Sequence, residues 1–123
     1  MNAVALAKTA YNTSSRAPLR TSRGTEYDAF AQVTHQLGRA QTAGFADLAA
    51  ALHENRRLWT LLAADVAEVG NGLPDDLRAR IFYLAEFTAD HSRKVLSGEE
   101  EVSILIEINT AVMRGLRQSG EAT

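Results

Sequence analysis

The side chains able to move protons or hold a metal ion in this chain are three histidines and fifteen acidic residues. His35, His53 and His91 fall on separate predicted helices, too far apart to form a local site. A zinc-binding helix needs a second imidazole one turn after His53-Glu54, and that position is Arg57. With no cysteine there is no thiolate ligand, disulfide or cysteine nucleophile. Gly70 and Gly72 resemble the opening of a dinucleotide-binding loop, but Pro74 and the helix before them leave no place for the strand it requires. Most acidic residues sit where helix dipoles favour them: Asp75 and Asp76 in a first turn, Glu99 to Glu101 just ahead of another. Asp65 is the exception, set among Leu61, Leu62, Ala63, Ala64 and Val66, and its expected partner is Arg78 or Arg80 in a structural ion pair. The reading is of a non-enzyme with no catalytic residue, no metal and no cofactor.

Recognition chemistry is better represented. Asn55-Arg56-Arg57-Leu58-Trp59 places the only tryptophan beside charges, and Asp65, Asn71-Gly72-Leu73-Pro74 and Leu77-Arg78 follow. The stretch reads as a recognition surface carried on two helices. Aromatic residues at helical spacing are usually core, so Trp59 has a packing reading as well as a contact reading.

An all-α fold has to position these groups: a small bundle of about four to five helices behind a flexible, basic N-terminal segment, in one domain spanning residues 1–123. The alanine-rich stretch Asn2 to Tyr11 predicts a short helix. Asn12 to Gly24, with Pro18 and five Ser or Thr residues, predicts a mobile linker. Tyr27, Phe30, Ala31, Thr34 and Leu37 then mark a helix to about Ala43, with a break at Gly44. Leu48, Leu52, Trp59, Leu62, Val66 and Val69 give the strongest helical period, closed by Gly70-Asn71-Gly72. Pro74 suits the first turn of the next helix, whose inward residues are Leu77, Ile81, Leu84, Thr88 and Val95 and whose stop is Gly98. The last helix starts near Ser103 and turns Leu105, Ile108, Val112 and Leu116 inward. Short connections make the last three helices antiparallel neighbours. Two of them are apolar around more than one stripe, at Ile81-Phe82-Tyr83-Leu84 and Ile104-Leu105-Ile106, so either these helices are central in the bundle or, the reading favoured, they offer a groove to another helix or to a second copy of the chain.

The net charge of −2 supplies no global attraction for nucleic acid. The one basic patch is local: residues 1–25 carry Lys8, Arg16, Arg20 and Arg23 and no acidic residue. That composition also resembles an organellar transit peptide, although Val4, Leu6 and Ala7 make a weak apolar face for import. No apolar run approaches the roughly 20 residues that span a bilayer, so the expected location is the cytoplasm.

With these residues in view, the chain resembles the FlaF family of flagellar biosynthesis proteins of alphaproteobacteria. The resemblance rests on Ala10-Tyr11, Arg23 with Glu26, Asn55 to Trp59, Asp65, and Asn71 with Leu73-Pro74 and Leu77-Arg78. It continues through Val95 with Gly98, Leu105 to Asn109, and Met113-Arg114-Gly115-Leu116. Ser22 stands where the family pattern has proline. The resemblance implies a helical protein that binds flagellin, supports its export in a chaperone-like manner, and influences flagellin synthesis alongside a translational repressor. Carried onto this chain, it implies partner-binding roles for Tyr11, Asn55, Arg57, Trp59, Asp65, Asn71, Leu105 and Asn109. The expected mechanism docks a terminal flagellin helix between the helix of Trp59 and the last helix. Trp59 and Leu105 give apolar contact, Asn55, Arg57 and Asn109 fix register, and the basic arm of residues 8–23 closes over the ligand. Two other classes stand beside it: an RNA-binding regulator of flagellin message using the basic arm and Arg56-Arg57, and a structural adaptor that dimerises through its last helix.

Overall fold

The first observed helix, α1, covers Leu19–Ala40, although its opening turns, with Thr21, Ser22, Gly24 and Thr25, are weak helix formers. The computed structural model describes the backbone of residues 19–122 and the side chains of residues 24–116. The expected helix from Asn2 to Tyr11, and the basic residues Lys8 and Arg16, lie outside the described residues. The linker expected up to Gly24 is overturned over its last part, because residues 19–24 are already helical. Gly24 costs an exposed helix about 1 kcal/mol relative to alanine, less than the burial of Phe30 and Leu37 further along the same helix returns. α1 ends at Ala40, three residues short of expectation, and Gln41 and Ala43 close the turn by bonding the carbonyls of Gly38 and Ala40.

Gly44 is the break read from the sequence, extended at φ −77° and ψ 175°, and α2 (Phe45–Ala67) starts after it. Ala51, Leu52, Asn55, Leu58, Trp59, Leu62 and Val66 make its buried stripe at helical spacing. Val69, expected to face inward, lies beyond the helix end and is fully exposed. The turn that follows needs glycine: Gly70 and Gly72 take φ of 83° and 95°, a region β-carbon sterics deny to most residues. Pro74 is the residue before α3 (Asp75–Leu96) rather than its first turn. α3 closes with Glu99 N donating to Lys94 O at 2.8 Å and Gly98 N to Val95 O at 3.1 Å, the double bond of a Schellman end. α4 (Ser103–Ala122) begins where expected. Among the described residues there are four helices and no strand.

Packing departs from the sequence expectation in one respect. α1 packs along both α2 and α4, and α2 packs along α3, but α3 and α4 do not pack closely along their lengths. The last three helices are therefore not a mutually packed set. α1 and α2 form the centre, and α3 and α4 stand on either side of an opening. Two apolar clusters fill the interior. One is centred on Phe30, Leu58, Trp59, Leu62 and Val66; the other joins Leu37, Ala40, Ala51, Leu52, Val95, Val102 and Leu105. The Phe30 ring meets the indole of Trp59 edge to face, centroids 5.5 Å apart at 84°.

Candidate functional site

The α2–α3 corner explains several residues singled out in the sequence. The Asn71 side-chain amide donates to the Asp65 carbonyl at 3.1 Å and to its carboxylate at 3.3 Å, while its own Oδ1 accepts from Leu73 N at 3.2 Å. Arg78 donates from Nε to Val66 O at 2.7 Å, a carbonyl at the end of α2, and from Nη2 to Glu68 O at 3.3 Å, which also accepts from Asn71 N at 3.2 Å. The ion pairs of Arg78 and Arg80 run to Asp75 and Asp76 within their own helix. Asp65, Asn71 and Arg78 thus act as a clasp that sets the angle between α2 and α3.

A second set holds α4. Trp59 Nε1 donates to Asn109 Oδ1 at 2.9 Å, and Asn109 Nδ2 donates to Asn55 Oδ1 at 2.7 Å. The indole can only donate, so the oxygen of Asn109 must face it, which turns the Asn109 amide nitrogen onto the oxygen of Asn55. Trp59 is 1% exposed, and Asn55, Asn109 and Leu105 are fully buried. The sequence reading put Trp59 and Leu105 on the docking surface, with Asn55 and Asn109 beside them. In the folded chain all four are covered and serve the packing of α4 on the α1–α2 centre. Their inward placement had a signal, since Asn55 and Trp59 share the stripe of Leu52, Leu62 and Val66, and Asn109 falls between Leu105 and Val112. Of the remaining candidates, Arg57 is on the surface, paired at 3.3 Å with Glu54, and Tyr11 lies outside the described residues.

His35 and His53 are exposed. His91 is buried, stacks on Phe87, and its Nε2 lies 2.9 Å from Glu101 O, so it donates there and ties α3 to the turn leading into α4. No group of acidic or histidine side chains among the described residues is arranged to hold a metal ion.

What these two anchors frame is a groove of about 640 Å³ between α3 and α4. Leu73, Pro74, Leu77, Ile81 and Leu84 form one wall, and Ile108, Ala111, Val112, Gly115 and Leu116 the other. Phe30 and Leu62 make the floor, with Glu26 at its edge. The lining is predominantly apolar, and among the described residues the only other charged side chain on it is Arg80. Ala111 and Gly115, one helical turn apart and both exposed, lower the α4 wall. The groove expected between the helix of Trp59 and the last helix is therefore shifted: it lies between α3 and α4, with α2 contributing to its floor. The doubled apolar stripes read in the sequence are here split in two. Ile81 and Leu84 line the groove, while Phe82 and Tyr83 are 49% and 64% exposed outside it. Leu73, Pro74 and Leu77 belong to the stretch read from the sequence as a recognition surface, whereas Ala111 and Gly115 were missed as groove residues, and the small residues four apart on α4 were the available signal.

Compared with models of protein families, residues 7–116 match the family described as flagellar protein FlaF. The chain belongs to the FlaF family. It is the family that the residues from Ala10-Tyr11 to Leu116 resemble. No curated protein and no solved structure matches this FlaF chain. Among its described residues, no helix is long and apolar enough to cross a membrane.

Proposed function

We propose that this FlaF protein binds an amphipathic helical segment of flagellin in the α3–α4 groove, keeps the segment's apolar face covered before assembly, and so supports flagellin export and feeds back on flagellin synthesis. The observation that carries the reading is the groove itself. An apolar trough between two helices, floored by Phe30 and Leu62, is suited to a third helix, which lays an apolar stripe into such a trough and keeps its own backbone hydrogen bonds. From Ile108 to Leu116 the α4 wall is about 12 Å long at 1.5 Å per residue, room for roughly two turns of a bound helix. Ala111 and Gly115 allow that helix to approach the α4 backbone closely.

In this reading Asn55, Trp59, Asp65, Asn71 and Asn109 serve binding by holding the walls in place. Hydrogen exchange of the FlaF chain with and without its organism's flagellin tests it. The expected result is slowed exchange over residues 73–84 and 108–116. Protection confined to other helices, or none, would place the flagellin contact elsewhere or remove it.

A further inference from the structure

On each helix one polar residue falls between residues of the two apolar clusters, apart from the other buried polar residues Glu26, His91 and Ser92. Thr34 lies between Phe30 and Leu37, Asn55 between Leu52 and Trp59, Thr88 between Leu84 and Val95, and Asn109 between Leu105 and Val112. The contacts between helices bring these four residues to one level. Phe30 on Trp59 sets the register of α1 and α2, and one turn onward on α1 and one turn back on α2 reach Thr34 and Asn55. Arg78 on the Val66 carbonyl sets α3 against α2; from there Thr88 is ten residues along and Asn55 eleven back, about 15 and 16 Å of helix. Asn109 bonds Asn55 directly. A polar layer therefore crosses the bundle between its two apolar clusters.

Three side-chain atoms among the described residues are buried without a hydrogen-bond partner in the chain, and all three belong to this layer: Thr34 Oγ1, Asn55 Nδ2 and Thr88 Oγ1. Neighbouring hydroxyls behave differently. Ser92 Oγ bonds the Thr88 carbonyl and Thr110 Oγ1 the Ile106 carbonyl, the usual recourse of a hydroxyl inside a helix. Three orphaned atoms in one layer would be a heavy cost for a domain of this size. They are also chemically complementary. One N–H donor and two hydroxyls, each able to donate or accept, are the partner set of an enclosed water molecule. A cation is disfavoured by the Asn55 N–H, and an anion by the lack of any positive group among these residues.

We propose that the polar layer is a hydration site. A water molecule accepts from Asn55 Nδ2 and exchanges hydrogen bonds with the hydroxyls of Thr34 and Thr88, joining α1, α2 and α3 at the level where Asn109 joins α4. The layer sits one turn beyond Phe30 and Leu84, at the inner end of the groove, and pins the register of the helices that form the groove walls. It does not depend on what the groove binds.

The test is NMR detection of water cross-peaks to the Asn55 side-chain amide, together with thermal melts of Thr34→Val and Thr88→Val in the full chain. Valine keeps the shape of threonine and removes the hydroxyl. The expected result is a long-lived water cross-peak in the wild-type chain, lost in Thr88→Val, and a fall of about 3–6 °C in melting midpoint for each variant. A wild-type chain without the cross-peak, or variants that melt higher because an orphaned hydroxyl has been removed, would overturn it. If a variant fails to fold, the wild-type cross-peak decides alone.

Discussion

Replacing Asn109 with alanine tests the account of how α4 is held. The change removes the acceptor of Trp59 Nε1 at 2.9 Å and the donor to Asn55 Oδ1 at 2.7 Å, both buried. Each group left buried and unpaired costs about 1–3 kcal/mol, and the Asn55 amide, whose nitrogen already lacks a partner in the chain, then makes no hydrogen bond within it. The small cavity adds to this, so Asn109→Ala should lose about 3–4 kcal/mol, a large part of the 5–15 kcal/mol typical of a folded domain. With a urea slope of about 2 kcal/mol/M, the unfolding midpoint falls by roughly 1.5–2 M. Asn109→Asp is the comparison: its carboxylate still accepts from the indole and can accept from a turned Asn55 amide, but it places a charge at a fully buried position, so it should also destabilise. In the double variant Asn55→Ala with Asn109→Ala, the loss should be smaller than the two single losses added, by about 1–2 kcal/mol, because the partners vanish together. An Asn109→Ala chain within about 0.5 kcal/mol of wild type would refute the reasoning, since surface substitutions away from such features cost no more than that.

Three further outcomes follow from the geometry. Arg78→Ala should cost about 1–2 kcal/mol in urea unfolding, because the bond to Val66 O at 2.7 Å closes the end of α2. Gly115→Ala should stabilise by about 0.5–1 kcal/mol, because a β-carbon there meets nothing within 4 Å and alanine is the better helix former. Hydrogen bonding from Lys94, then the charges of Lys94 and Arg93, holds the Asp90 carboxyl below its ordinary value of 3.8. The folded pKa is thus the lower one, so the contribution of Asp90 is complete above 3.8 and fades as pH drops through the folded value. Acid unfolding of wild type and Asp90→Asn should accordingly converge below pH 3.8, and a gap that widens there would contradict it.

Local grammar was legible in the sequence and non-local pairing was not. Gly70, Gly72 and Gly98 mark turns because positive φ is a property of the single residue. The stripes of α2 and α4 were readable because helical periodicity reports burial. Periodicity does not say which stripe meets which, so the packing of α1 on α4, and with it the opening between α3 and α4, escaped the reading. Asn55 and Trp59 looked like recognition residues because polar and aromatic side chains near charges suggest a surface, and Asn109 joined them through the family resemblance. Their burial depends on a partner 50 positions away in sequence, which spacing alone cannot show. Asp65 and Asn71 carried two readings: partner contacts implied by the resemblance, and structural roles in an ion pair and a helix closure, of which the closure by Asn71 is what the α2–α3 corner uses.

The most direct test of the central claim is a calorimetric titration of the chain with its organism's flagellin, run in parallel on wild type and Gly115→Arg. Arginine is a good helix former near a helix C-terminus, and at this exposed position its side chain crosses the groove without displacing core atoms. Wild type should bind saturably at one to one, and the variant should lose binding while melting no lower. No binding by wild type at micromolar flagellin, or equal binding by both chains, would contradict it.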